Sequence, residues 1–410
     1  MTSFDSSPTP QVWRATPQVW RALLALAVVF VLLMTTGWTA IRDQRGPGGP
    51  REAAVAAWRD DRIGTRHLPD PQSPPAELTA FFASLSPRQR DRLATEHPLV
   101  VGNLDGAPVT LRYRANRLAL RAALDAEQRR VDDRRLSPDG HREAVRRTHR
   151  FASLMRADRQ ILAFDPSGNG RVAEVFGDLD RAQRVSVIVP GVDTNLLTFQ
   201  RSARKYTAPV GMAESLYAAE RAAAPATRTA VIAWADYTAP VGVGMDAAIG
   251  RRAETGAARL VSLTGALPGH SRVALFCHSY GSVVCGVAAR RLPPRVADLA
   301  VAGSPGMRAA SAAGLGTRAR VWAMRDADDW IAEVPYLEVG GLGHGADPVA
   351  PEFGARLLSA AGAVGHAGYF EPGTESLRNF AEIGVGSYRS VRCAGTGDAC
   401  RGGISGATAL

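Results

Sequence analysis

The run RVSVIVPG, Arg184–Gly191, is apolar almost without interruption. A strand with one wet face alternates polar and apolar residues; a continuous apolar run belongs to a strand covered on both faces. Similar runs follow at TAVIAWAD (229–236), RVALFCHS (272–279), ADLAVAGSP (297–305) and ARVWAMRD (319–326). Helical stretches separate them, near Asp246–Leu267 and Gly281–Leu292, and a last helix begins at a Thr374 cap. RQILAFD and GRVAEVFGD, joined by PSGNG, read as an antiparallel hairpin ahead of these units. The expected fold is therefore α/β: a mostly parallel sheet with helices on both faces and an antiparallel start.

Upstream, the pattern is helical from Arg51 to about Arg159. SPRQRDRLATEH opens with Ser86 as N-cap and Pro87 at the first helical position. TLRYRANRLALRAALDAEQRR places Leu111, Leu118 and Leu124 on an apolar face with charges opposite. Between these helices the GNLDG loop offers Asn103 and Asp105 either as groups that reach a pocket or as parts of a loop that only packs the domain. Further upstream, residues 22–41 are uncharged and, at 1.5 Å per residue, span about 30 Å, the thickness of a bilayer core. Trp20 and Trp38 flank this span as interfacial anchors do, and it reads as an uncleaved signal anchor after a duplicated TPQVWRA lead. The expected organisation is a cytoplasmic lead (1–21), a transmembrane anchor (22–41), a linker and helical region (42–159), the α/β domain (160–390) and a tail (391–410).

Two signals for membrane orientation conflict. Arg42, Arg45 and Arg51 follow the span and only Arg14 and Arg21 precede it, which favours a cytoplasmic C-terminal side. Cys393 and Cys400, in the polar segment CAGTGDAC, have a spacing that suits a disulfide and no zinc site, and a disulfide needs an oxidising compartment. The disulfide decides the expectation: a single-pass protein of the cell membrane with its catalytic domain outside the cytoplasm. Cys277 and Cys285 lie in apolar runs and read as small buried hydrophobes. The net charge of +10 rests on 48 arginines and one lysine, with no aromatic residues interleaved among them, so it reads as solvated surface and not as a nucleic-acid interface.

In open α/β sheets, sites form at the carboxyl ends of strands. After RVALF comes Cys277-His278-Ser279-Tyr280-Gly281, one glycine short of the G-x-S-x-G turn that exposes a nucleophilic serine between strand and helix. Small residues are needed two before and two after the serine; Gly281 supplies one and Cys277 the other, so Cys277→Gly should leave activity largely intact. Gly286 lets the following helix lie close to the sheet. A serine nucleophile needs a histidine base and an orienting carboxylate, here in the chain order Ser, acid, His. Asp326, Asp328 and Asp329 end the strand ARVWAM, and Ile331, two residues beyond, selects Asp329. His366, on the loop beyond the helix-like PEFGARLLSAA, is the expected base. The backbone N–H groups of Val192 and Tyr280 form the expected oxyanion hole. Asp193, Asp236, Tyr237 and His344 are candidate substrate contacts, and His278 packs against the sheet. No metal cluster, phosphate loop or dinucleotide fingerprint occurs, so no cofactor or metal is expected.

LSPRQRDRLATEHPLVVGNLDGAPVTLRYRANR, VIVPGVDTNLLTF, HSYGS, DDWI, GLGHGADP and GHAGYF together resemble a family of α/β-hydrolases of unknown function found widely in actinobacteria. The similarity covers roughly residues 75–390 and, by position, implies the α/β-hydrolase fold and the set Ser279, Asp329 and His366. Cys277 departs from the family's glycine. The expected activity is hydrolysis of a small ester or a lipid-like substrate through an acyl-enzyme, at a membrane surface reached through residues 22–41. Acyl transfer to a cell-envelope component uses the same residues, and a non-catalytic surface protein on the same scaffold is the alternative.

Overall fold

The structure, a computed structural model, describes residues 49–404. Among these no helix is long and apolar enough to cross a membrane. The expected anchor at 22–41 and its cytoplasmic lead lie outside the described residues.

Five helices of nine or more residues come first: α1 (Pro50–Asp60), α2 (Pro75–Ala83), α3 (Pro87–Glu96), α4 (Val109–Val131) and α5 (Pro138–Leu154). Helix α3 begins as its sequence dictates, in a capping box that pairs Ser86 with Gln89, with Pro87 at N1. The chain then lays down β1 (Gln160–Asp165), β2 (Arg171–Gly177), β3 (Arg184–Val189), α6 (Pro209–Ala223), β4 (Thr229–Ala235) and α7 (Arg251–Ala266). It continues with β5 (Arg272–His278), α8 (Gly281–Ala288), β6 (Val296–Ala302), β7 (Arg320–Met324), β8 (Arg356–Leu357) and α9 (Glu375–Val385).

The eight strands form one sheet in the order β8-β7-β6-β5-β3-β4-β2-β1. The pairs from β8 through β4 are parallel; β2 runs antiparallel to both β4 and β1. Alternation of side chains splits the core into two layers. On β5, Val273, Leu275 and Cys277 join one cluster with α7 and α8, whereas Ala274 and Phe276 join the other with α6 and α9. A third cluster, built on Trp58, Phe81, Phe82 and Leu93, holds the N-terminal helices together.

The helical region does not line the cavity that contains Ser279. It caps the edge of the sheet. Asn103 of the GNLDG loop donates to Phe164 O at 2.7 Å and accepts from Phe164 N at 3.0 Å, taking the place of a neighbouring strand. From α4, Arg112 donates to Leu162 O at 3.1 Å and Asn116 to Ile161 O at 2.9 Å. Polar atoms that an edge strand leaves open are thereby satisfied. The face expected for α4 holds in part: Leu111 is buried and Leu124 half-buried, but Leu118 is exposed, and Arg112 and Asn116 are buried against the sheet edge. Asp105 pairs with Arg112 and not with a substrate pocket.

Two further expectations give way. PEFGARLLSAA forms no helix: a 3-10 turn at Pro351–Phe353 ends at Gly354, and Arg356–Leu357 add the edge strand β8. Gly286 makes room for the loop after β6 and not for the sheet, because a Cβ there would meet Met307 O at 2.0 Å.

Candidate active site

Strand β5 ends at His278, and Ser279 turns the chain into α8. Ser279 has φ +55°, in the left-handed region that a side chain adopts only under constraint. The constraint is close packing. A Cβ at Gly281 would lie 2.0 Å from Val189 O, so only glycine lets α8 start against the end of β3. The serine side chain therefore stands out of the turn, beside the loop that follows β3.

Three side chains converge there. His366 Nε2 lies 2.8 Å from Ser279 Oγ, and His366 Nδ1 lies 2.8 Å from Asp329 Oδ1. Asp329 caps the turn after β7 and is buried; its Oδ1 also accepts from Ile331 N at 2.9 Å, and its Oδ2 accepts from the Tyr369 hydroxyl at 2.6 Å. Burial pushes the Asp329 carboxyl up, but the hydrogen bonds from His366, Tyr369 and Ile331 outweigh it, and the group sits below the usual carboxylate range. An ionised acid beside Nδ1 fixes the tautomer that leaves Nε2 free to accept the serine proton.

The other acids of the loop separate in role. Asp326 Oδ2 accepts from Gly365 N at 2.8 Å and so ties down the loop that carries His366, while Asp328 is exposed. Behind the histidine, His278 Nε2 donates to His366 O at 2.6 Å. Burial, and His366 next to it, push the His278 imidazole down to about 3, so it is neutral. His278 thus lines the cavity and pins the histidine loop, a larger part than the packing role read from sequence. Trp330 covers the outer side of His366, with ring centroids 4.8 Å apart. Gly303 is the matching void: a Cβ there would lie 2.7 Å from Asp329 Oδ2 and 3.1 Å from the His366 ring.

The cavity has a volume of about 200 Å³ and is lined by Gly191, Val192, His278, Ser279 and His366, with Asp193 and Thr194 at one side. Gly191 packs so closely that a Cβ would lie 2.6 Å from Ser279 Cβ, which brings the Val192 amide alongside the serine. The Asp193 N–H is taken by Pro240 O at 2.8 Å; the Val192 and Tyr280 N–H groups enter none of the loop hydrogen bonds among the described residues. Tyr280 opens α8, where N–H groups have no intrahelical acceptor.

The remaining candidates are dispersed. Asp193, at φ +58°, lines the cavity and accepts from Gly242 N at 2.8 Å. Asp236 does not reach the cavity; its carboxylate is paired with Arg259 and Arg171. Tyr237 is buried and donates to Pro190 O at 2.6 Å, bracing the Val192 loop from behind. His344 also lies off the cavity, edge-on to the Tyr280 ring with centroids 5.7 Å apart, and burial pushes it down to about 4. Among the described residues, Asp61, Glu96 and His97 are the group with metal-ligand spacing, but Arg92 already bridges the two acids.

The cysteines depart most from expectation. Cys393 is joined to Cys400, as its spacing suggests. Cys277 and Cys285 are not separate apolar side chains: they form a second disulfide, from the end of β5 to the first turns of α8, bracketing Ser279. Sequence reasoning missed this bond, and with it the supporting roles of Tyr369, Asp326 and Trp330. The signal for the bond was present in two cysteines on either side of one tight turn.

The chain is 27% identical over 381 residues to two uncharacterized proteins of Mycobacterium tuberculosis, MT2140 of strain CDC 1551 / Oshkosh and Rv2079 of strain ATCC 25618 / H37Rv. The alignments cover 78% of this chain and 57% of each relative, so the chain spans little more than half their length. Among solved structures, a dienelactone hydrolase from Anabaena variabilis is 16% identical, covering 57% of this chain and 98% of that one, with a TM-score of 0.34. XC6422 from Xanthomonas campestris, described as an a/b serine hydrolase without lid, is 14% identical over 59% of this chain and 98% of that one, with a TM-score of 0.33. A family model described as alpha/beta hydrolase matches residues 165–339, the span from β1 through the loop that bears Asp329. That match, the strand order and the serine turn at the end of β5 together give the chain an α/β-hydrolase fold.

Proposed function

We propose that this protein is a serine hydrolase of carboxylic esters that works through an acyl-enzyme. One observation carries the reading: a serine on a strained strand-to-helix turn, 2.8 Å from a histidine that is itself 2.8 Å from a buried carboxylate. Ser279 Oγ attacks the ester carbonyl while its proton passes to His366 Nε2. The N–H groups of Val192 and Tyr280 receive the negative charge on the carbonyl oxygen. Collapse expels the alcohol, which takes the proton from His366. Water, deprotonated by the same imidazole, then releases the acid and frees Ser279. Asp329 holds the imidazole in register and stabilises its cationic form.

The setting we propose is the outer side of the cell membrane, with residues 22–41 as anchor. Two features support it. Both disulfides together use all four cysteines of the chain, which suits an oxidising compartment. Exposed large apolar side chains among the described residues cluster in two stretches, Val241 through Ile249 and Trp330 through Leu342, and Trp330 lies against His366, which suits a lipid-like substrate.

Labelling with a fluorophosphonate probe tests the reading. Wild type should form an adduct and Ser279→Ala should not; an unlabelled wild type, or an adduct that persists in Ser279→Ala, would refute it. Acyl transfer to a cell-envelope component is separated from hydrolysis by product analysis with a competing alcohol.

A further inference from the structure

We infer that the substrate carries an anionic oxygen group, a carboxylate or a phosphate, bound by Arg201 and Arg204; this rests on the proposal that Ser279 is the nucleophile. Arg201 and Arg204, both exposed, line the same cavity as Ser279, on the wall formed by the loop between β3 and α6. Neither forms an ion pair or donates a hydrogen bond among the described residues. Their neighbours behave differently. Arg150 is spent on Leu197 O and Gln200 O, at 2.8 and 2.7 Å, and Lys205 is paired with Glu214. Arg150 of α5 and Lys205 are thus engaged, whereas the two arginines at the cavity are left without a partner among the described residues.

The backbone supports the same assignment. Arg204 has φ +47°, a left-handed conformation unfavourable for a side chain this long, and its carbonyl is held by the Thr207 hydroxyl at 2.9 Å. Asp193 is the acid lining this cavity, and its Oδ1 already accepts from Gly242 N, so two cations face one engaged carboxylate. A planar guanidinium matches the paired oxygens of a carboxylate or phosphate, and two of them in a cavity of about 200 Å³ select for charge as well as for size.

Matched ester pairs on the full chain test the assignment. On the acyl side, p-nitrophenyl hexanoate is compared with the p-nitrophenyl half-ester of adipate and with p-nitrophenyl 6-phosphonooxyhexanoate. On the alcohol side, phenyl acetate is compared with 4-acetoxybenzoate and 4-acetoxyphenyl phosphate. In wild type at least one anionic member should exceed its neutral partner in kcat/KM by about tenfold, and the preference should shrink as salt is raised. The ratio should fall toward one in Arg201→Gln/Arg204→Gln. It should partly survive in Arg201→Lys/Arg204→Lys, which keeps the charge and loses the fork. Which anion is preferred separates carboxylate from phosphate. Turnover of neutral esters with no anionic preference on either side, or a preference unchanged in the double glutamine variant, overturns the assignment while leaving the hydrolase reading intact. No turnover of any ester fails the hydrolase reading itself.

Discussion

Replacing both cysteines of the Cys277–Cys285 disulfide with alanine should cost stability and activity together. The bond closes a loop of sequence separation 8, and chain-entropy arithmetic for a ring that short gives about 2.5 kcal/mol. At about 2–4 °C per kcal/mol for domains slightly smaller than this one, the melting temperature should fall by about 5–10 °C. The bond also brackets the residue held at φ +55°, a conformation that costs about 1–3 kcal/mol. That cost is similar to the stabilisation the disulfide supplies, so without it a share of molecules relaxes to an ordinary turn that moves Ser279 Oγ from His366. If about half of the strain drives this relaxation, kcat falls about three- to tenfold, since each 1.4 kcal/mol is tenfold. Alanine is small enough for both sites, which excludes overpacking as the cause. Cys277→Gly, harmless on the reading of Cys277 as a mere spacer, should behave like the double variant and also expose a free thiol at Cys285. The assays are a thermal melt and steady-state hydrolysis of a short p-nitrophenyl ester. A double alanine variant with the melting temperature and kcat of wild type would refute the reasoning.

Three further outcomes follow from the site. Tyr369→Phe removes a 2.6 Å donor from the buried Asp329 carboxylate; a hydrogen bond to a charged group contributes about 1.5–3 kcal/mol, so kcat should fall at least tenfold with KM little changed, as steady-state kinetics will show. His278 is held neutral, with its pKa lowered from 6.5 to about 3, so the unfolded chain binds a proton that the folded one refuses. Stability should therefore drop by about 1.4 kcal/mol per pH unit from this group as pH falls from 6.5 toward 3, and urea melts of His278→Asn should show a flatter acid limb. Asn103→Ala strips both partners from Phe164 at the sheet edge; it should destabilise by about 2–4 kcal/mol in urea melts, yet leave kcat within twofold, because the helical region caps β1 and does not line the cavity.

What was legible in the sequence is what depends on neighbours along the chain. Apolar runs gave the strands, because each strand is buried on both faces, and the caps at Ser86 and Thr374 fixed two helix starts. The serine, acid and histidine were legible because each follows a strand end in the order this fold imposes. What was not legible depends on partners far away in sequence. Asn103 meets Phe164 across 61 residues, so nothing near GNLDG says that its amide substitutes for a strand. Arg112 and Asn116 spoil the helical pattern of α4 for the same reason: polar residues on a buried face read as an exposed face until the sheet edge they serve is known. Asp236 is the converse case, since a carboxylate at a strand end looks like a substrate contact until Arg259 and Arg171 close on it. Cys277 is different again, because its partner lies only eight residues on. The small size of cysteine accounts for the fit at the turn, but not for a second cysteine on its other side. A glycine two residues before the serine permits the turn; a disulfide from that position to α8 fastens it. The substitution that weakened the motif as a pattern thus strengthens it as a structure.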